Sequence, residues 1–263
     1  ILSVLVINGN DGSRYPRLTT RDRADHGEFP HMVSIQYRGD HRCGGALISY
    51  RHVLTAAHCV HNETEKDFWP HEFVVIVGST NLANPDIGSL IEVERIGYHP
   101  GFTAKPVYPQ IPLNDIAVLR LAESIPKHKN IEPVKLPTTL YQEYDGGMQL
   151  FVTGFGAAFA EGAPSPYLRK MIVLQVHPQS CQRVYRRPLD VSDMCAISVE
   201  NFDACPGDSG SPLILRRERL IVGVLSEAPP DGCGSGKPTV YTKVSHHLNF
   251  IKSEMQDSSR DVL

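Results

Sequence analysis

Short β-strand signals recur along the chain, each cut off by Gly, Pro, Asn or Asp. The early runs are His31–Tyr37, Ala46–Thr55, Phe73–Val77, Ile91–Tyr98 and Ile116–Leu121. A proline-marked crossover at Ile131–Pro137 follows, and then Met148–Gly154, Arg169–Val176, Ser211–Leu215, Leu220–Leu225 and Thr239–Val244. With no helix-period segments between them, the two sets predict two all-β units. Barrels close their own edges and so protect a strand-rich chain from pairing with its neighbours; periodicity alone leaves a sandwich open as well. One helix is predicted over His246–Met255, where Leu248, Ile251 and Met255 repeat at three and four residues and form a docking stripe. A short turn is predicted near His58, and residues 256–263 read as a frayed tail.

A chain of 263 residues can hold one large core or two modest ones. With 41% hydrophobic residues, 21 Gly and 20 Pro it reads as globular and loop-rich. A net charge of −3 gives no reason to expect nucleic acid. The nearest thing to a basic patch, Arg183, Arg186 and Arg187, reads as a solvated loop. No apolar run is long enough to span a bilayer, so no membrane partner is expected. The six cysteines are an even set, which suits disulfides and an oxidising, extracellular compartment. Asn62-Glu63-Thr64 is a glycosylation sequon. The apolar stretch Ile1–Ile7 reads equally as the end of a signal peptide or as a strand of a pro-segment.

Three segments carry chemistry: Thr55-Ala56-Ala57-His58-Cys59, Asp115-Ile116-Ala117-Val118-Leu119 and Gly207-Asp208-Ser209-Gly210-Ser211-Pro212. They supply a base, a carboxylate and a nucleophile. A serine hydroxyl is a weak nucleophile until a histidine takes its proton, and the histidine later returns that proton to the leaving amine. An aspartate behind the ring fixes its tautomer and stabilises the imidazolium. Gly207 has no side chain, so its N–H and that of Ser209 can both point at a developing oxyanion.

On these segments and their order, the chain resembles the chymotrypsin/trypsin-like serine endopeptidases from about Gly27 to Ile251. The resemblance implies an all-β fold of two packed six-stranded antiparallel barrels with a C-terminal helix. It divides the chain into a pro-segment or signal remnant (1–17), an N-terminal barrel (18–136) and a C-terminal barrel with its helix (137–263). It implies a catalytic triad of His58, Asp115 and Ser209, an oxyanion hole at Gly207 and Ser209, and a site in the cleft between the barrels. It implies disulfides Cys43–Cys59, Cys181–Cys195 and Cys205–Cys233. The implied partners are protein or peptide substrates, an activating protease and protein inhibitors. A non-catalytic homologue that serves as a binding partner or cascade cofactor is the alternative.

The resemblance also places Asp203 at the base of the primary pocket, which implies cleavage after Arg or Lys. Two departures narrow that expectation. Thr239 stands where the family has Gly on the pocket wall, and Ser226-Glu227-Ala228 replaces Ser-Trp-Gly. For activation, the family position of the new N-terminus falls on Leu18, with Arg17 before it. Thr19-Thr20-Arg21 then replaces the slim Val-Gly-Gly that lets the terminus swing into place. Ser34, His41 and Asp208 resemble the trio that restrains a precursor; in an uncut chain Asp208 is expected to turn toward His41 and leave the Gly207 donor misdirected. No metal or other cofactor is expected: Ser79-Thr80-Asn81-Leu82 lacks the acids of a calcium loop, and His246-His247 reads as helix surface.

Overall fold

A computed structural model describes residues 22–61, 68–85, 89–104, 112–140, 147–159, 161–186, 188–200 and 203–256. The expected Arg17, Leu18 and Asn62 lie outside them, as does the Ile1–Ile7 stretch. The short strand β1 (Asp22–Arg23) precedes two strand rings. In the first ring are β2 (Met32–Tyr37), β3 (Asp40–Ser49), β4 (His52–Thr55), β5 (Phe73–Val77), β6 (Ser89–Tyr98) and β7 (Ala117–Leu121). They close as β2-β3-β4-β7-β6-β5, every pairing antiparallel. The second ring holds β8 (Gln149–Gly154), β9 (Arg169–Val176), β10 (Asp193–Ser198), β11 (Pro212–Leu215), β12 (Leu220–Glu227) and β13 (Thr239–Lys243). The order β9-β10-β13-β12-β11-β8 is closed by a further pairing of β8 with β9, and β1 lies outside β9. The fold is two six-stranded antiparallel barrels.

Alternation explains the rings. In β5, Phe73, Val75 and Val77 are fully buried while Val74 is half-buried, as the pleat requires of one face turned to a core. The first core gathers Val33, Ile35, Leu47, Leu54, Phe73 and Leu119; the second gathers Leu150, Met194, Leu213, Val222 and Tyr241. Burying such side chains contributes about 2 kcal/mol each. The terminal helix α2 (Leu248–Gln256) follows the second barrel but buries Leu248 and Ile251 in the first core. Arg95 of β6 donates to the Glu254 carboxylate at 2.8 Å and fixes the helix there. Glu28 takes the Lys170 ammonium at 2.8 Å and the Arg216 guanidinium at 2.8 Å, a second tie between segments far apart in sequence.

Where the chain departs from sequence expectation, the causes are local. The run Ala46–Thr55 folds as parts of two strands because the chain turns at Tyr50 and Arg51. Strand β10, Asp-Met-Cys-Ala-Ile-Ser, carries little strand signal because Ile197 is its one β-branched residue and it has no aromatic. A helix, α1 (Pro178–Tyr185), occupies part of what read as loop. Proline suits its first turn, Cys181 and Tyr185 share its buried face, and Arg186 ends it in the left-handed region at φ 55°. Arg183 therefore sits on a helix rather than in a loop. His247 is not on the helix surface: it is buried in the turn before α2, edge-on to His99 at 5.3 Å.

Two buried histidines contribute to the pH dependence of stability. Burial, with the Arg219 charge, lowers His31 from its ordinary 6.5 to about 4. Burial lowers His247 from 6.5 to about 4 against the opposing pull of the Lys243 carbonyl. The folded protein thus binds fewer protons than the unfolded chain between those values. Their stabilisation is complete above pH 6.5 and is lost as pH falls toward 4, by about 3 kcal/mol each. Urea unfolding at a series of pH values is expected to show this loss, and His31→Gln to flatten its share of the slope.

Candidate active site

Asp115 has no exposed surface, so its charge must be satisfied from within. The His58 backbone N–H donates to Oδ1 at 2.9 Å, the His58 ring through Nδ1 to Oδ2 at 2.7 Å, and the Ser226 hydroxyl to Oδ2 at 2.6 Å. The Thr242 hydroxyl donates to the Asp115 carbonyl at 3.0 Å. Burial by itself would raise this carboxyl; the charge of His58, with the His58 and Ser226 hydrogen bonds, outweighs it and holds the group below the usual carboxylate range. His58 comes from a 3₁₀ turn, Ala57–Cys59, that the Cys43–Cys59 disulfide fastens to β3. With Nδ1 committed to Asp115 as donor, Nε2 is the nitrogen at which the ring gains or loses its second proton.

The segment carrying Ser209 is fixed through its carbonyls. The Cys205 carbonyl accepts from Asp208 N–H at 2.9 Å and the Pro206 carbonyl from Ala157 N–H at 2.8 Å. Gly207 accepts from His41 Nε2–H at 2.9 Å, Asp208 from Ser211 N–H at 3.0 Å and Ser209 from Gly44 N–H at 2.8 Å. Five successive acceptors are thus engaged, whereas among the described residues nothing accepts from the N–H groups of Gly207 and Ser209. Gly207 reaches this turn at φ +92°, and a Cβ there would meet Gly156 and the His41 ring at 3.2 and 3.3 Å. Gly44 is needed for a different reason: a Cβ would lie 2.2 Å from Ser211 Oγ, blocking the approach of β3 to this loop.

His41 accepts from the Ser34 hydroxyl on Nδ1 at 2.8 Å and donates from Nε2 to Gly207. Burial lowers its pKa, opposed by that carbonyl and by the Asp208 charge, which suits the neutral ring this pattern needs. Asp208 departs from the sequence expectation. It does not turn toward His41: the Gly156 N–H donates to Oδ1 at 2.9 Å and the Cys205 N–H to Oδ2 at 2.9 Å. Two backbone donors satisfy this buried carboxylate where it lies, and the Gly207 carbonyl takes the imidazole instead.

Around the expected pocket, Asp203, Ser226 and Thr239 are buried and Glu227 and Ala228 are half-buried. The Ser226 hydroxyl proton is committed to Asp115. Asp203 accepts at Oδ1 from Gly234 N–H, and at Oδ2 from Ser235 N–H at 3.1 Å and Ser235 Oγ–H at 2.6 Å. The Cys205–Cys233 bridge ties these segments, and Cys181–Cys195 ties α1 to β10. Sequence reading missed Tyr185, whose hydroxyl faces the carbonyls of Glu227 at 3.0 Å and Pro238 at 3.2 Å and ties α1 to the segments before and after them. It also missed Gly156 and Ser235; glycine and serine in loops carry no signal of their own. Cys43, His58 and Cys59 lie close enough to resemble a metal set, but both sulfurs are in a disulfide, so these residues do not fit an ion.

The family model described as trypsin matches residues 19–251. The chain belongs to the trypsin family. It is 33% identical over 261 residues to serine protease Hayan of Drosophila melanogaster, covering 91% of this chain and 39% of that protein. Over 244 residues it is 33% identical to the proclotting enzyme of Tachypleus tridentatus, covering 87% of this chain and 64% of that protein. The chain therefore spans less than two thirds of the length of either relative. A solved structure of human heparin binding protein is similar at a TM-score of 0.75 and 25% identity, over 90% of this chain and 96% of that one.

The contribution of the second barrel to the Asp115 site is directly measurable. Ser226→Ala leaves a buried carboxylate short of one donor and is expected to cost about 2 kcal/mol in urea unfolding at pH 7. A loss below a few tenths would show that the hydroxyl is not holding the carboxylate.

Proposed function

We propose that this trypsin-family member is a serine endopeptidase that hydrolyses peptide bonds through an acyl-enzyme at Ser209. The observation that supports this reading is the pairing of every carbonyl from Cys205 to Ser209, while no acceptor among the described residues takes the Gly207 and Ser209 N–H groups, which leaves both available to a substrate oxygen. Ser209 Oγ attacks the scissile carbonyl while His58 Nε2 takes its proton; Asp115 stabilises the imidazolium so formed. The carbonyl oxygen, now an anion, is held by the two N–H groups, each contributing about 3 kcal/mol to the transition state. His58 then gives its proton to the leaving amine, and water repeats the sequence on the ester.

The finer features of the proposal rest on named residues. Asp203 supports a preference for Arg or Lys, weakened by the buried Thr239 on the wall. Activation is by a cut after Arg17, releasing Leu18 as a terminus whose ammonium joins the Asp208 carboxylate. A cavity lined by Val152, Gly154, Arg169, Lys170, Met171 and Asp208 supports docking there. Six cysteines in three disulfides support a secreted protein. Its partners are then protein substrates, an activating protease and protein inhibitors, and Asn62 is a glycosylation site.

Ser209→Ala is expected to abolish turnover of a peptide library and labelling by a serine-reactive fluorophosphonate while keeping the unfolding midpoint. Retention of more than a few per cent of activity would remove Ser209 from the role of nucleophile. Incubation with trypsin is expected to yield a Leu18 terminus and to raise active-site titration. A chain cut there that never labels would be a binding homologue; full titration with Ile1 still in place would overturn the activation scheme.

A further inference from the structure

An ionised carboxylate offers about four lone-pair directions, and a guanidinium pairs with it best by using two of them side by side. At Asp203 three are taken from within the chain: Oδ1 by the Gly234 N–H, and Oδ2 twice, by the N–H and the hydroxyl of Ser235. The carboxylate is also nearly sealed, with 2% of its residue surface exposed. At most one direction remains for a donor that enters from the pocket. A guanidinium cannot set its fork on such an edge without displacing Ser235. An ammonium needs no fork; it is a compact charge with donors that rotate, and it can bond the lone pairs of the Ser235 hydroxyl beside the charge. The Cys205–Cys233 bridge joins the Asp203 segment to the Gly234 segment, so displacing Ser235 would strain a cross-linked loop.

From this geometry we propose that Ser235 is a specificity-determining residue, and that it makes the primary pocket select lysine over arginine. The proposal rests on the reading of Asp203 as the base of that pocket. The charge of Asp203 is kept, so a basic residue is still attracted, but the two-oxygen edge that rewards arginine is withdrawn. Thr239 narrows the pocket and disfavours the broader guanidinium on steric grounds, an effect that Ser235→Ala leaves in place, and Glu227 carries a charge that attracts both basic side chains.

The test compares kcat/KM on matched peptide amides that differ only in Lys or Arg at the cleaved residue. It is paired with calorimetric binding of butylamine and of benzamidine, which needs the pocket but no catalysis. The parent is expected to favour Lys by about tenfold, the step of one good hydrogen bond to a charged group. Ser235→Ala is expected to raise kcat/KM on Arg and the affinity for benzamidine by about tenfold, with Lys and butylamine changed far less. Ser235→Thr, which keeps the hydroxyl, is expected to retain the parent preference. Equal or better cleavage after Arg in the parent, or a Lys-to-Arg ratio unmoved in Ser235→Ala, would overturn the assignment of Ser235 while leaving a basic pocket intact. A library profile peaking at Ala or Val, with neither amine bound, would instead overturn the basic pocket and this proposal with it. In a chain that does not turn over, the two binding measurements decide alone: benzamidine bound more tightly than butylamine by the parent sinks the proposal.

Discussion

A carboxylate with no exposed surface is tolerated only if donors surround it, and at Asp115 those donors come from both barrels. The first barrel supplies His58 through its backbone and its ring; the second supplies the Ser226 hydroxyl from β12 to the carboxylate, and the Thr242 hydroxyl from β13 to the Asp115 backbone carbonyl. Removing the partners from either side while the carboxylate stays buried would cost about 3–5 kcal/mol. The pairing of the barrels and the orientation of His58 are therefore the same interaction. It also fixes the tautomer of His58, because an aspartate on Nδ1 leaves Nε2 as the acceptor.

The same economy of donors governs the loop that carries Ser209. Backbone groups buried in an interior are nearly all paired. Here the acceptors are paired with donors drawn from Gly44 and His41 in the first barrel and Ala157 in the second. The N–H groups of Cys205, Asp208, Gly210 and Ser211 are paired as well, so those of Gly207 and Ser209 stand out, and Gly207 and Gly210 both hold positive-φ conformations in which a side chain would be obstructed. His41 belongs to this scheme as a neutral ring: as an imidazolium it could no longer accept from the Ser34 hydroxyl, and its burial opposes that charge.

The parts legible in sequence are those where residue type alone dictates environment. Short apolar, β-prone runs cut off by Gly, Pro, Asn and Asp gave ten strand signals. Segments such as Thr55–Cys59 and Gly207–Pro212 were legible through their resemblance to the chymotrypsin/trypsin-like endopeptidases. Strand β10 and helix α1 were not legible: the first holds one β-branched residue, Ile197, and the second is only two turns long. The orientation of Asp208 was hidden for a deeper reason. Which of several donors a buried carboxylate takes is decided by backbone N–H groups at Gly156 and Cys205, and every residue but proline has an N–H.

The role proposed for Ser235 carries that limit over to specificity. A carboxylate at the base of a pocket reads as an arginine receptor only if its oxygens are open, and openness is a property of the surrounding loop. Around Asp203 the loop from Cys233 to Ser235 turns its donors inward, so the charge is retained and the hydrogen-bonding edge is consumed. Charge acts over several ångströms and draws either basic side chain toward the site; directional bonding acts only at contact and separates them. The two can be uncoupled by one hydroxyl, which leaves the residue at the pocket base unchanged in sequence while altering what it is able to hold.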